Sequence, residues 1–291
     1  MPASTGMTTA QFVAYIIFCL ISLPVIWIRP HKLKKFFYAS SATIIVFEIV
    51  LLIWALATMG PEGFGDTISA KSSTDSSSSW LMAYGIISTI GSISAGILNQ
   101  NDYARFARRP KDAILGQVFS FPLYGISCSV VGILVTAATQ QRFGGAIWNP
   151  PDIFSTLIEN GGSRERAAGF FAGAALVVSQ IGVNVPGNAL SGGFDFAATF
   201  PKYINIRRGA YLTAALSVAC NPWRIVNTAT VFISVLGSYS VFLGPMTGMM
   251  ISSYFVVNKS KINVDHLYIG NRGSIYWYTW GVNWRGIVAV S

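Results

Sequence analysis

The chain has 291 residues, 52% of them hydrophobic and only 11% charged, with a net charge of +9. Ordinary globular domains carry about 25% charged residues, so a soluble domain of this length would lack a surface. Strands of a membrane barrel alternate over about 10 residues, whereas the apolar runs here are unbroken, which leaves a helical membrane protein.

A helix needs roughly 20 mainly apolar residues to cross a bilayer core of about 30 Å. In chain order, the runs 9–28, 36–59, 80–98, 114–138 and 167–190 meet that length. The run 209–220 is shorter. The run 225–257 exceeds one straight crossing, so it must kink, tilt or extend past the bilayer; Gly237 and the Gly244–Pro245 pair permit a bend. No charged region precedes the first run, which therefore reads as a span rather than a signal peptide.

The loops alternate in charge. Loop 29–35 carries Arg29, Lys32, Lys34 and Lys35; loop 99–112 carries Arg105, Arg108, Arg109 and Lys111. Loop 191–208 holds Lys202, Arg207 and Arg208, and the segment after the last run holds Lys259, Lys261 and Arg272. Loop 60–79 has Glu62, Asp66 and Asp75 against Lys71, and acids balance arginines in loop 139–166. The positive-inside rule puts the basic set in the cytoplasm and the amino terminus outside. The basic balance thus marks sidedness, not a nucleic-acid partner. Tyr276, Trp277, Tyr278, Trp280 and Trp284 read as an interfacial aromatic belt. Cys19, Cys128 and Cys220 lie in or beside apolar runs, with neither disulfide nor metal spacing, and read as small packing side chains.

Polar groups inside the membrane need partners, so each marks a candidate site. Gln180, Asn184 and Asn188 are spaced four apart on one helical face, with Pro186 and Gly187 between the asparagines. Proline frees a backbone carbonyl near Gly182. Amides beside an opened backbone suit a planar heterocycle with N–H and C=O edges; they equally suit hydrogen bonding between helices. The run Gly91–Gly96 allows close helix contact or a local break. Asp102 and Arg105 read as parts of a cytoplasmic loop lattice, and Asp195 as a cap or ion-pair partner. Glu48 is the one acid deep in a run, either a proton relay or a bonded structural group. His31 and His266 are far apart, and no metal spacing, phosphate loop or nucleophile elbow appears, so neither enzyme nor resident cofactor is expected.

Four long segments carry a family resemblance. They are ILNQNDYARFARRPKDAILGQ at 97–117, NVPGNALSGGFDFAATFPKYINIRRGAYL at 184–212, NPWRIVNTATVFISVLGSYSVFLGPMTGMMISSYFVV at 221–257 and HLYIGNRGSIYWYTWGVNWRG at 266–286. In these the chain resembles the nucleobase–cation symporter family 1, in its fungal uracil, uridine and allantoin permease branch. The resemblance implies a single membrane domain over 1–291, with the fold of the sodium-coupled amino-acid transporters: two inverted five-helix repeats and two further helices. The spans would be helices 4 to 10 of 12. Residues 9–59 would close the first repeat, 80–257 would form the second, and 258–291 would be a cytoplasmic loop and the start of the next helix. The absence of helices 1 to 3 leaves a second expectation, a truncated membrane remnant that does not transport.

The resemblance also implies roles. Asn184 and Asn188 match two helix 8 asparagines, Asn188 the one facing substrate. Ile93 matches a position where bacterial relatives stack a tryptophan on the ligand. Tyr239 and Phe242 fall in the helix 10 region that gates the site. Gly182 and Val183 match positions whose hydroxyls complete a sodium site in bacterial relatives, and neither has a hydroxyl. Proton-coupled symport of uracil, allantoin or uridine across the plasma membrane is the implied activity, with the heterocycle, a proton and the bilayer as partners.

Overall fold

A computed structural model describes residues 8–29, 32–65, 68, 78–220, 229–267 and 269–290. The chain is all-α; an isolated bridge between Thr279 and Val282 is the extended pairing among the described residues. The elements are α1 (Thr9–Trp27), α2 (Lys34–Ala57), α3 (Ser78–Leu98), α4 (Gln100–Ala104), α5 (Pro110–Phe143), α6 (Pro150–Asn160) and α7 (Ser163–Asn184). A π-helical turn, Val185–Leu190, joins α7 to α8 (Ser191–Thr199); α9 (Ile206–Ala219) and α10 (Ala229–Ser252) follow, then short helices α11 (Val264–Leu267) and α12 (Trp284–Val290).

Among the described residues, four helical stretches are long and apolar enough to cross a membrane: α1, α2, α5 and the 37-residue run Ser163–Thr199. The sequence leads one to expect more. Ser79–Ile93 and Val241–Val257 form shorter apolar helices. Helix α9 has 14 residues, a rise of about 21 Å at 1.5 Å per residue, less than a straight crossing. Residues 221–228 lie outside the described set; beyond them α10 contains Pro245 and runs into a π-turn at Ser253–Val257.

Local chemistry sets the helix ends. Thr8 and Gln11 form a reciprocal capping box on α1, with bonds of 3.2 and 2.9 Å. Pro110 opens α5, and Gly144 stops it in the left-handed region at φ 70°. Those signals extend α5 past both ends of the apolar run 114–138. Loop 139–166 contains a whole helix, α6, opened by Pro150 and covering its apolar side with the buried Ile153 and Leu157. Asn205 caps α9 by accepting from the Arg208 N–H at 2.9 Å.

The chain divides into two compact units. One comprises residues 1–75 and 102–221 and has two cores. In the first core, Ile26 of α1 and Ala210 of α9 close on Ile181, Val185, Leu190 and Phe194 around the π-turn. In the second, Leu51 and Ala55 of α2 pack on Val135 and Ala138 of α5 and on α6. Helices α8 and α9 cross through glycine: a Cβ on Gly193 would lie 2.5 Å from the Ile206 carbonyl oxygen. The other unit comprises residues 76–101 and 222–291. There α3 packs along α10, which also meets α12.

Candidate functional site

Pro186 has no N–H to give to the helix, and the chain answers with the π-turn Val185–Leu190. The turn sits in the middle of the 37-residue apolar run, where irregular backbone is tolerated only against protein or a cavity. A cavity of about 410 Å³ is there, walled by α1, the turn and α9. That volume falls in the range of small-ligand pockets, about 300–1,000 Å³.

Asn184 and Asn188 both line the cavity, and Asn188 Nδ2 donates to Asn184 Oδ1 at 2.7 Å. The other polar groups of the wall are already engaged. Ser22 donates to the Phe18 carbonyl at 2.8 Å, Thr213 to Gly209 at 2.9 Å and Ser217 to Ala214 at 2.8 Å. Tyr211 reaches from α9 to the Leu23 carbonyl of α1 at 2.9 Å. The recorded bonds leave Asn188 Oδ1 and Asn184 Nδ2, an acceptor and a donor, for a guest in an otherwise mainly apolar cavity. At the end of α1, Arg207 covers the Trp27 ring at 4.1 Å, and Trp27 leans on Tyr211.

The π-turn is held from below. Tyr103 donates to the Pro186 carbonyl and is bonded to Ser191 Oγ at 2.7 Å. Its ring meets Phe194 edge-on at 5.9 Å, and Arg105 lies over the same Phe194 ring at 4.7 Å. Burial pushes the Tyr103 phenol above its ordinary value of 10.0, so it keeps its proton and remains a donor.

The remaining sequence candidates are dispersed. Gln180 is exposed on α7 and lines no part of this cavity. Ile93 is half-buried on α3 and Phe242 exposed on α10, both in the other unit. The side chain of Tyr239 lies outside the described set. Glu48 has a partner that spacing does not reveal: Cys128 of α5 donates to its Oε1 at 3.0 Å. Sequence reading also misses Tyr211 and Tyr103 as supports. Both act through contacts with distant segments, and no local spacing signals either. Gly182 lies against Ser40 of α2, whose side chain a Cβ there would strike. Among the described residues no group of His, Cys, Asp and Glu could hold a metal ion.

Helices long and apolar enough to cross a membrane, a break in the longest of them and an amide-lined cavity at that break are features that membrane transport proteins use. The chain belongs to the family described as permeases for cytosine/purines, uracil, thiamine and allantoin, whose pattern covers residues 1–291. It is therefore a multi-span permease-family protein, not an enzyme. It is 34% identical to the transporter aclS of Aspergillus oryzae, over 99% of this chain and 52% of that protein. It is 32% identical to the allantoin permease of Saccharomyces cerevisiae, and equally to the uracil permease of that yeast, each over 98% of this chain and 46% of the relative. The chain thus spans about half the length of these curated relatives. No solved structure matches it.

Proposed function

We propose that this chain carries the substrate site of a proton-coupled symporter for a nucleobase or related heterocycle, acting at the plasma membrane. The observation that carries the reading is the asparagine pair, Asn184 and Asn188, in a cavity whose other polar groups are bonded within the wall. A uracil-like ring presents N–H and C=O groups side by side, the complement of the Asn188 acceptor and the Asn184 N–H donors. An apolar wall accepts the faces of such a ring. The printed names of the relatives, uracil and allantoin permeases among them, favour the same ligand class.

The coupling ion follows from what stands at Gly182 and Val183. Neither carries a hydroxyl, and Ser40 occupies the space a larger side chain at Gly182 would need. A sodium site that drew hydroxyls from these two side chains would lack them, which favours a proton as the driving ion. The test is uptake of radiolabelled uracil and allantoin by cells expressing the chain, with Asn188→Ala beside it. Loss of a buried hydrogen bond of this kind weakens affinity about 5–150-fold. Internal acidification should accompany uptake, and a protonophore should abolish it. Unchanged affinity in Asn188→Ala removes the asparagine from the site, and sodium-dependent uptake that ignores the protonophore removes the proton.

A further inference from the structure

We propose that Tyr103 is the positioning residue of the amide cavity: its hydroxyl locks the π-turn that sets Asn188 against Asn184. The inference rests on the reading of that cavity as the heterocycle site.

The geometry is specific. Asn188 sits inside the turn Val185–Leu190, two residues after Pro186 and three before Ser191. Tyr103 bonds to both flanking residues, to the Pro186 carbonyl and to Ser191 Oγ. One phenol has a single proton, which goes to the carbonyl; Ser191 then donates to the phenol oxygen, giving a directed chain Ser191 to Tyr103 to Pro186. Ser191 Oγ is 3.4 Å from the Pro186 carbonyl oxygen, so without the phenol the turn closes on itself only weakly.

A π-turn is a single-turn departure from the α-helix, and its relaxation to α-helix changes the angular register of the residues it holds. Such relaxation would rotate Asn188 relative to Asn184 and lose the 2.7 Å bond between their side chains. The Tyr103 hydroxyl opposes it from outside the helix. Phe194 and Arg105 hold the Tyr103 ring in place, one as an edge-on neighbour and the other by capping Phe194 from above. Ring packing and hydroxyl bonding are therefore separable by mutation: Tyr103→Phe removes the bonds and keeps the ring, and Phe194→Leu weakens the packing and keeps the hydroxyl.

The experiment uses the full chain in lipid nanodiscs and in cells, with Tyr103→Phe, Ser191→Ala and Phe194→Leu. Uracil uptake kinetics, hydrogen–deuterium exchange over residues 185–191 and the thermal midpoint are read for each. Tyr103→Phe should raise KM about 3–10-fold at an unchanged maximal rate per molecule. It should also speed exchange in the turn, and lower the midpoint no more than Phe194→Leu does. Ser191→Ala should follow it in part. Phe194→Leu should lower the midpoint and raise KM less than Tyr103→Phe does. Unaltered exchange in Tyr103→Phe overturns the proposal, and so does an equal KM rise in Phe194→Leu, which would make the effect one of general packing. If the parent chain takes up no heterocycle, the reading of the cavity fails, and exchange alone then decides whether Tyr103 holds the turn.

Discussion

Glu48 illustrates how much a single contact changes the meaning of a residue. A carboxylate within an apolar helix needs a partner, and Cys128 supplies one across to α5 at 3.0 Å. The thiol is thus more than a small packing group. Two roles for Glu48 remain distinct in experiment. As the proton carrier of the proposed symport, Glu48→Gln keeps the shape and removes the titration, and uptake should lose its rise at lower external pH. Normal rates with normal pH dependence would leave Glu48 as a bond between α2 and α5 only. Cys128→Ala tests that bond directly. Losing this hydrogen bond from a weak thiol donor should destabilise the fold by about 0.5–1.5 kcal/mol, seen as a lower thermal midpoint in detergent.

At the scale of elements, the crossing of α8 and α9 shows why glycines stand where they do. A Cβ on Gly209 would lie 2.8 Å from the Gly193 carbonyl oxygen and 2.9 Å from the Gly193 Cα. Backbone meets backbone there, as small residues allow between membrane helices. Gly209→Ala must push the helices apart, and overpacking of this kind typically destabilises by about 1–3 kcal/mol. Gly96→Ala in α3 is the control, since its Cβ would meet nothing within 4 Å; its effect should stay within about 0.5 kcal/mol. Thermal unfolding of both variants checks the contrast, and equal midpoints would mean that the crossing yields freely. The same crossing places Thr213 and Ala214 on the wall of the cavity that holds the asparagines. The Pro186–Gly187 pair signals an opened backbone in sequence; which neighbours would cover the opening is not written in that spacing, because α1 lies far from it along the chain and α9 returns to it only past α8.

For the whole molecule, the charge of the loops makes a topological prediction. Cysteines placed at Glu62 and at Arg108 in a cysteine-free background should differ in labelling by an impermeant maleimide. Glu62 should react on intact cells, and Arg108 only after permeabilisation, as the positive-inside rule requires. The reverse pattern would invert the assigned orientation, and labelling of both from outside would remove the single crossing between them. Much of the architecture at this scale is legible from composition alone: the all-α membrane class, the positions of α1 and α2, and the apolar run 167–190, which the helix carries on to Thr199 through residues read as loop. The path of the chain between its two units is not, since residues 76–101 and 222–291 group together across more than a hundred intervening positions.

The sequence by itself determined the membrane class, the family and the alternation of loop charge, and it set two asparagines beside a proline, because hydrophobic length, charge and motif spacing are local properties that add along a chain. Only the tertiary structure decided which helices wall the amides, that Gln180 stands outside them, that Cys128 answers Glu48 and that Tyr103 grips the π-turn. Those facts depend on contacts between residues as many as 188 positions apart, as Tyr211 and Leu23 are. Such pairings are settled by packing, where close approach at a few glycines selects one arrangement of helices from many that share the same hydrophobic pattern.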